Sequence, residues 1–373
     1  KPNLLIYNKT EWSEDGKPAK LPKRFYSSTL IIDKMISYID RDKATGKPFF
    51  ASVNFIANHI PVQARDADIA AYAGRYHYGW TKLRKERRAA AITKGVMPAG
   101  VRTVTMNTSG DWTKLSAQQR EQRAGAMAAY AAMGTAMDRE IGRLIAHLKT
   151  IGVYENTIFV FLSDNGAEAT DPMNMGAFTR WNANQLYDQS IAQQGRPGSL
   201  TAQGAGFASA SASPLRGYKF TANEGGLRVP MIIAWPGNPA IKGGRIASGF
   251  AHVTDMPLTL LKLAGVAPQQ GRFSGRRVEP MIGADLTPML TGAASSVHPA
   301  DKPLGYELSG NAVLFKGDYK LVKNLPPYGD GRWRLYNITT DPGETKDLSG
   351  SDPERFATMQ SDYAAFAKAN NVL

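Results

Sequence analysis

The sequence predicts an α/β protein: a mixed, largely parallel sheet sandwiched by helices, followed by a small antiparallel-sheet α+β subdomain. Three observations predict it. Apolar runs at residues 49–55 (FFASVNF) and 157–162 (TIFVFL) have the composition of buried strands. A long helical pattern lies between them, and strand, covering helix and strand in succession is the order that builds parallel sheets. From Pro303 onward the pattern changes to short strand-like segments joined by tight turns. The expected boundary therefore falls between residues 1–300 and 301–373.

Each element has its own signal. Residues 1–24 are polar and turn-rich, which suits loop or edge material. Residues 27–40 place Ile31, Met35, Tyr38 and Ile39 at helical spacing, and Thr45–Gly46–Lys47–Pro48 breaks the pattern. A basic helical stretch covers residues 80–92. Residues 117–150 form the clearest helix: Ser116 and Gln119 fit a capping box, in which each side chain satisfies an orphan amide of the first turn. Met127, Tyr130, Gly134, Met137, Ile141, Leu144 and Leu148 recur at three- and four-residue steps, and Gly152 stops the helix. Residues 170–214 are rich in Ala, Ser, Gly, Asn and Gln and read as a long loop. A strand at 229–235 ends at Pro236–Gly237, and a helix at 254–264 ends at Gly265. Strands at 312–315, 319–322 and 333–337 and a helix around 352–369 complete the chain.

Composition narrows the function. A chain of 373 residues with 43% hydrophobic and 21% charged residues can bury a sizeable core and is not broadly disordered. It has no cysteine, which excludes disulfides, cysteine-ligated zinc, iron–sulfur clusters and thiolate nucleophiles. Forty-five basic against 32 acidic residues give a net charge of +13, which favours anionic partners. Lys82–Arg88 (KLRKERR) is the densest basic run and also suits a solvated helix face. No apolar run is long enough for a membrane span. The contexts of known nucleic-acid-binding motifs are missing, so no nucleic-acid partner is expected. The N-terminal segment has no initiator Met and no signal-peptide apolar core, so it reads as beginning part-way through something.

Three places carry candidate chemistry. Asp164–Asn165 follows a buried strand and offers hard oxygen ligands of the kind Ca²⁺ and Mg²⁺ prefer, although Asp-Asn-Gly also suits a strand-ending turn. His59, in Asn58–His59–Ile60–Pro61, lies just past a predicted strand and can serve as an acid, as an anion donor or as a structural residue. His77, His147, His252 and His298 show no metal-binding spacing. The segment RGYKFTANEGGLRVP (216–230) sets cations and glycines directly before a strand, as a surface hairpin or as a loop presenting Lys219 to an oxyanion. It lacks Walker A order, and no G-x-S-x-G elbow occurs anywhere.

In combination, FFASVNFIANHIPVQA, SDNGAE after an apolar strand, K-x-x-x-x-E-G-G-x-R-x-P before another, and LYNITTDPGETKDL resemble the type I sulfatases. The likeness runs from about Phe25 to the C-terminus and is to the bacterial arylsulfatase branch of the alkaline-phosphatase superfamily. It implies an alkaline-phosphatase-like fold and hydrolysis of a small-molecule sulfate ester. It also implies a divalent cation, Ca²⁺ or Mg²⁺, and a formylglycine nucleophile. By motif, Asp164 and Asn165 are implied as metal ligands, and Lys219 and His59 as catalytic residues holding the sulfate or its leaving oxygen. Asn58 stands where the family usually has Pro. A periplasmic or secreted location is implied by the family alone, with a cytoplasmic one as the alternative.

The same likeness carries expectations that this sequence does not meet. The family's first third supplies an Asp pair and the Cys- or Ser-x-Pro-x-Arg motif that becomes formylglycine. Nothing here matches it; in the nearest segment, Ala212–Ser213–Pro214–Leu215–Arg216, Ala occupies the nucleophile's position. The expectation is therefore a portion of a longer protein, inactive alone, whose partner is its own missing N-terminal segment. The readings left beside it are a phosphonate monoester hydrolase or phosphodiesterase of the same superfamily, and a non-catalytic module binding sulfated or other anionic polymers.

Overall fold

The computed structural model describes residues 11–372 except 105, 173–180, 182–183 and 270. The chain forms two compact units that alternate along the sequence. One comprises Lys1–Arg87, Thr105–Tyr154 and Gly166–Ser213, the other Arg88–Val104, Glu155–Asn165 and Pro214–Leu373.

The first unit holds a short hairpin, β1 (Ser13–Glu14) and β2 (Lys17–Pro18), and helices α1 (Ser27–Lys43), α2 (Asp66–Ala70), the start of α3 (Gly79–Thr93), α4 (Ala117–Thr150) and α5 (Gly204–Ser211). α4 begins at the predicted capping box: the Gln119 amide donates to Ser116 Oγ at 3.2 Å, and the Ser116 amide donates to Gln119 Oε1 at 2.8 Å. At its other end His147 lies 2.8 Å from Asp40, where a cation favours the helix dipole.

The predicted stripe on α4 is buried only at its ends, Met127 and Leu148. Between them the buried face runs through Ala129, Ala132, Met133, Ala136 and Glu140, while Tyr130, Gly134, Met137, Ile141 and Leu144 are half-buried. Alanines let Val62 and Ala64 approach the helix closely, so the larger side chains flank the contact rather than fill it. Beside this lies an aromatic cluster in which Trp80, Trp112 and Phe207 meet edge to face at 4.9–5.9 Å.

Two expectations for this unit are corrected. Residues 49–55 form no strand, and Phe50 is 83% exposed. A strand exists only as part of a ladder, and this run pairs with no strand among the described residues. The expected long loop at 170–214 contains α5. Its small residues are what a helix needs under a tryptophan: a Cβ on Gly206 would lie 2.6 Å from the Trp80 ring.

In the second unit β3 (Phe159–Leu162) pairs with β4 (Met231–Ala234), Phe159 opposite Ala234 and Leu162 opposite Met231. The pairing is antiparallel, and no parallel ladder occurs among the described strands. The expected burial is not met either, since Phe161, Leu162, Met231 and Ile232 are exposed: apolar composition here fixed neither strand direction nor burial. Next come α6 (Glu224–Leu227), α7 (Asp255–Leu263), the hairpin β5 (Arg272–Phe273) and β6 (Arg276–Arg277), and α8 (Thr287–Thr291).

The predicted C-terminal meander is present: β7 (Leu304–Leu308), β8 (Asn311–Lys316), β9 (Tyr319–Lys323) and β10 (Arg334–Asn337), ordered β10-β9-β8-β7 and antiparallel throughout. Alternation gives its faces different partners. Leu314, Leu321 and Leu335 pack on Met359 of α9 (Pro353–Ala369). Val313, Phe315, Val322 and Tyr336 pack on Ala222, Leu227 and Phe250. Lys320 shares the second face and is fully buried.

Candidate active site

The end of β3 and the start of β4 set up the first part of the site. Because the ladder is antiparallel, the residue after Leu162 meets the residue before Met231: the Ser163 amide donates to the Pro230 carbonyl at 3.3 Å. Asp164 and Asn165 follow at once. The Ser163 hydroxyl donates to the Asn165 carbonyl at 2.9 Å, which holds the turn. Asp164 is exposed and Asn165 half-buried. The segment 216–230 enters β4 through Pro230, so its foot and the Asp164–Asn165 turn share one end of the ladder.

That segment is tightly folded. Gly225 donates to the Arg216 carbonyl at 2.7 Å and closes the loop, and a Cβ on Gly225 would lie 2.6 Å from the same oxygen. Thr221 donates through its hydroxyl to the Tyr218 carbonyl at 2.8 Å. Lys219 and Phe220 form the tip, with Lys219 half-buried and Phe220 exposed at φ +73°. The Lys219 ammonium lies 5.4 Å from the Phe220 ring centroid, and Phe220 stacks on Tyr328 at 6.5 Å.

Below the tip the loop rests on buried charge. Lys320 Nζ donates to Glu224 Oε1 at 2.9 Å and lies 3.0 Å from Glu344 Oε1. Glu344 Oε2 accepts from the Asn223 amide group at 2.9 Å and from the Glu224 backbone amide at 3.1 Å. Asn324 accepts from the Ala222 backbone amide at 2.6 Å. Burial works against the Lys320 ammonium, but Glu224 and Glu344 outweigh it and hold its pKa above the usual lysine value. Burial pushes the Glu344 carboxyl up, against the pull of Lys320.

Arg216 donates from Nε to the Glu344 carbonyl at 3.0 Å. The Ala212–Arg216 run is thus the entry to this loop, with no nucleophile at Ala212. A cavity of about 480 Å³ lies beside the loop's foot, walled by Arg216, Asn223, Asn324, Tyr328, Arg334 and Asp347. Neither Asp164 nor Lys219 lines it.

His59 belongs to the first unit. It is exposed, and its Nδ1 lies 2.7 Å from the Ile60 carbonyl. A carbonyl only accepts, so Nδ1 carries the proton and the ring orientation is fixed. The His59 amide donates to the Ile56 carbonyl at 2.8 Å, and Asn58 donates to the Tyr130 carbonyl at 2.8 Å, which ties the segment to α4.

The donor set is right in type for a hard cation and short in number. Asp164 and Asn165 supply carboxylate and amide oxygens, yet no group of three acidic or imidazole side chains that could hold a metal occurs among the described residues. His252, Asp255 and His298 do come together, but as structural bonds: Asp255 accepts from the His252 and Ala284 amides at 2.7 Å and lies 2.9 Å from His298. No helix of the described residues is long and apolar enough to cross a membrane.

Sequence reasoning singled out Asp164, Asn165, Lys219 and His59 and missed Lys320 and Asn324. Glu344 lay within the DPGE motif without a role. The available signal for Lys320 was register: it shares a strand face with Val322.

The chain shares its fold with Ps i-CgsB, whose crystal structure superposes with a TM-score of 0.61 at 20% identity, covering 96% of this chain and 58% of that one. Residues 4–266 match the sulfatase family, and the chain belongs to it. It is 34% identical over 356 residues to an uncharacterized sulfatase of Schizosaccharomyces pombe, covering 95% of this chain and 62% of the relative. It is 33% identical over 282 residues to an arylsulfatase of Klebsiella aerogenes, covering 74% of this chain and 59% of the relative. The chain thus spans about three-fifths of each of these two relatives.

Proposed function

We propose that this protein is an arylsulfatase-type sulfuric ester hydrolase acting on a small-molecule sulfate ester. The supporting observation is the β3–β4 ladder of a sulfatase-family chain, which brings the Asp164–Asn165 oxygens and the foot of the Lys219 loop to one end. In this reading water and ester give sulfate and the free alcohol or phenol, with cleavage at the S–O bond. Lys219 binds a sulfate oxygen and offsets the charge that develops on it. His59 is the proton donor of this reading: with Nδ1–H held by the Ile60 carbonyl, its imidazolium form donates from Nε2 to the sulfate or to the leaving oxygen. Asp164 and Asn165 would hold Ca²⁺ or Mg²⁺, which when bound supplies positive charge to the sulfate. The formylglycine that the family likeness implies has no candidate residue here. Residues 1–300 belong to the catalytic domain and 301–373 to its small subdomain, and the setting is periplasmic or secreted.

The test is a substrate panel on protein expressed from its complete reading frame. 4-Nitrophenyl sulfate should be turned over in preference to bis(4-nitrophenyl) phosphate. Lys219→Ala should lower kcat/KM by about 100-fold. A preference for the phosphodiester would transfer the reading to the phosphonate monoester hydrolase and phosphodiesterase branch. Absent turnover with salt-sensitive binding of a sulfated polymer would leave a binding module.

A further inference from the structure

We propose that Lys320 and Glu344 are positioning residues for Lys219: they clamp the loop that carries it onto β9 and onto the 341–345 turn. The inference builds on the reading of Lys219 as a sulfate-binding residue.

The contacts divide the loop in two. Several of the described anchors fall on its feet. The backbone amides of Ala222 and Glu224 are held by Asn324 and Glu344, the Glu224 carboxylate by Lys320, and the Arg216 guanidinium by the Glu344 carbonyl. At the tip the Phe220 carbonyl accepts from Asn311 at 3.2 Å. Lys219 itself stands between these anchors. The anchoring groups are among the most deeply buried polar side chains described: Lys320 and Glu344 are 0% exposed and Glu224 is 3% exposed. Buried charge is stabilising only when its geometry is well satisfied, and an apolar filler would hold the same sheet at lower cost. What an apolar filler cannot do is accept from the Glu224 backbone amide and the Asn223 side-chain amide of this loop, as Glu344 does. Glu344 even occupies φ +53°, a conformation that disfavours a non-glycine residue, while pointing its carboxylate at Glu224.

Two measurements on the complete protein test this. The first is amide hydrogen exchange followed by mass spectrometry. In Glu344→Gln, peptides spanning 216–228 should exchange about tenfold faster while β7–β10 stay protected, because one anchor is weakened and the sheet is not. Unchanged exchange in the loop, or an equal rise across the whole second unit, would overturn the proposal. The second is a double-mutant cycle on sulfate-ester turnover. Lys320→Met should lower kcat/KM by about ten- to a hundredfold, the order that displacing a binding group costs. Combined with Lys219→Ala it should add little further loss; additive losses would overturn the proposal. If Lys320→Met does not fold, Lys320→Met/Glu344→Gln, which removes one charge of each sign, replaces it in the cycle. Should Lys219→Ala prove fully active, the sulfate-binding reading fails, and hydrogen exchange alone decides the positioning.

Discussion

In the first unit, Trp80, Trp112 and Phe207 meet edge to face beside the alanine stripe of α4, and Glu140 on that stripe pairs at 2.8 Å with the exposed Arg143. In the second unit, a lysine and two glutamates sit in the interior between β9 and the Lys219 loop. Apolar contact has no direction, so the aromatic and alanine contacts fix shape through volume. Hydrogen-bonded charge has direction and fixes particular atoms. The catalytic candidate Lys219 follows the second kind of interior.

The largest expected effect breaks the charged interior. Lys320→Ala leaves two carboxylates buried without their cation and should destabilise the second unit by about 3–5 kcal/mol. Urea unfolding monitored through exchange of β8 and β9 amides reads this directly, and a loss below about 1 kcal/mol would mean that water or Arg228, 3.8 Å from Glu224, already screens the cluster. The corresponding break in the first unit is steric. Gly206→Ala sets a methyl 2.6 Å from the Trp80 ring, and overpacking of this kind costs about 1–3 kcal/mol. Alanine's better helix propensity offsets part of that, about 1 kcal/mol. Thermal unfolding of the variant should show a loss confined to the first unit.

How far the sequence foretold these interiors depends on how local the cause is. The ends of α4 were legible because a capping box and a stop glycine act within a few residues. The C-terminal meander was legible from its turns, and the helix α9 was expected at the position it occupies. The Asp164–Asn165 turn and the Lys219 loop were legible as motifs next to apolar strands. The direction of β3 against β4 was not, because pairing is decided by segments about 70 residues apart. Residues 49–55 misled for a related reason: apolar content is not a ladder partner. α5 was hidden because small residues look like a loop until the ring above them is known. Lys320 was hidden because an isolated lysine in a strand usually faces water, and only Glu224 and Glu344, distant in sequence, explain its burial.

A smaller effect sharpens the comparison at a helix end. Ser116→Ala removes one half of the α4 capping box and should cost about 1 kcal/mol. That cost belongs to the first unit and should leave exchange in the Lys219 loop unaltered, which separates general stability from loop positioning.

The smallest expected effect contrasts the two units in pH. In the first, Arg139 hydrogen-bonds both oxygens of Asp68, at 2.8 and 3.0 Å, and holds its carboxyl below the usual range. A depressed carboxylate contributes stability above the unfolded-state pKa of about 4 and loses it as pH falls. Arg139 is 47% exposed, so solvent limits the contribution to about 1 kcal/mol or less. In the second unit burial raises the Glu344 carboxyl, and the sign reverses: its contribution falls as pH climbs from the ordinary carboxylate range toward the raised value. Asp68→Asn should therefore flatten the acid limb of the first unit's stability, and Glu344→Gln should flatten a decline on the other side of it in the second. Unfolding free energies from pH 3 to 7, resolved by unit through hydrogen exchange, measure both slopes. Slopes of the same sign would mean that Glu344 is held ionised by Lys320, and that the charged interior is better compensated than its burial implies.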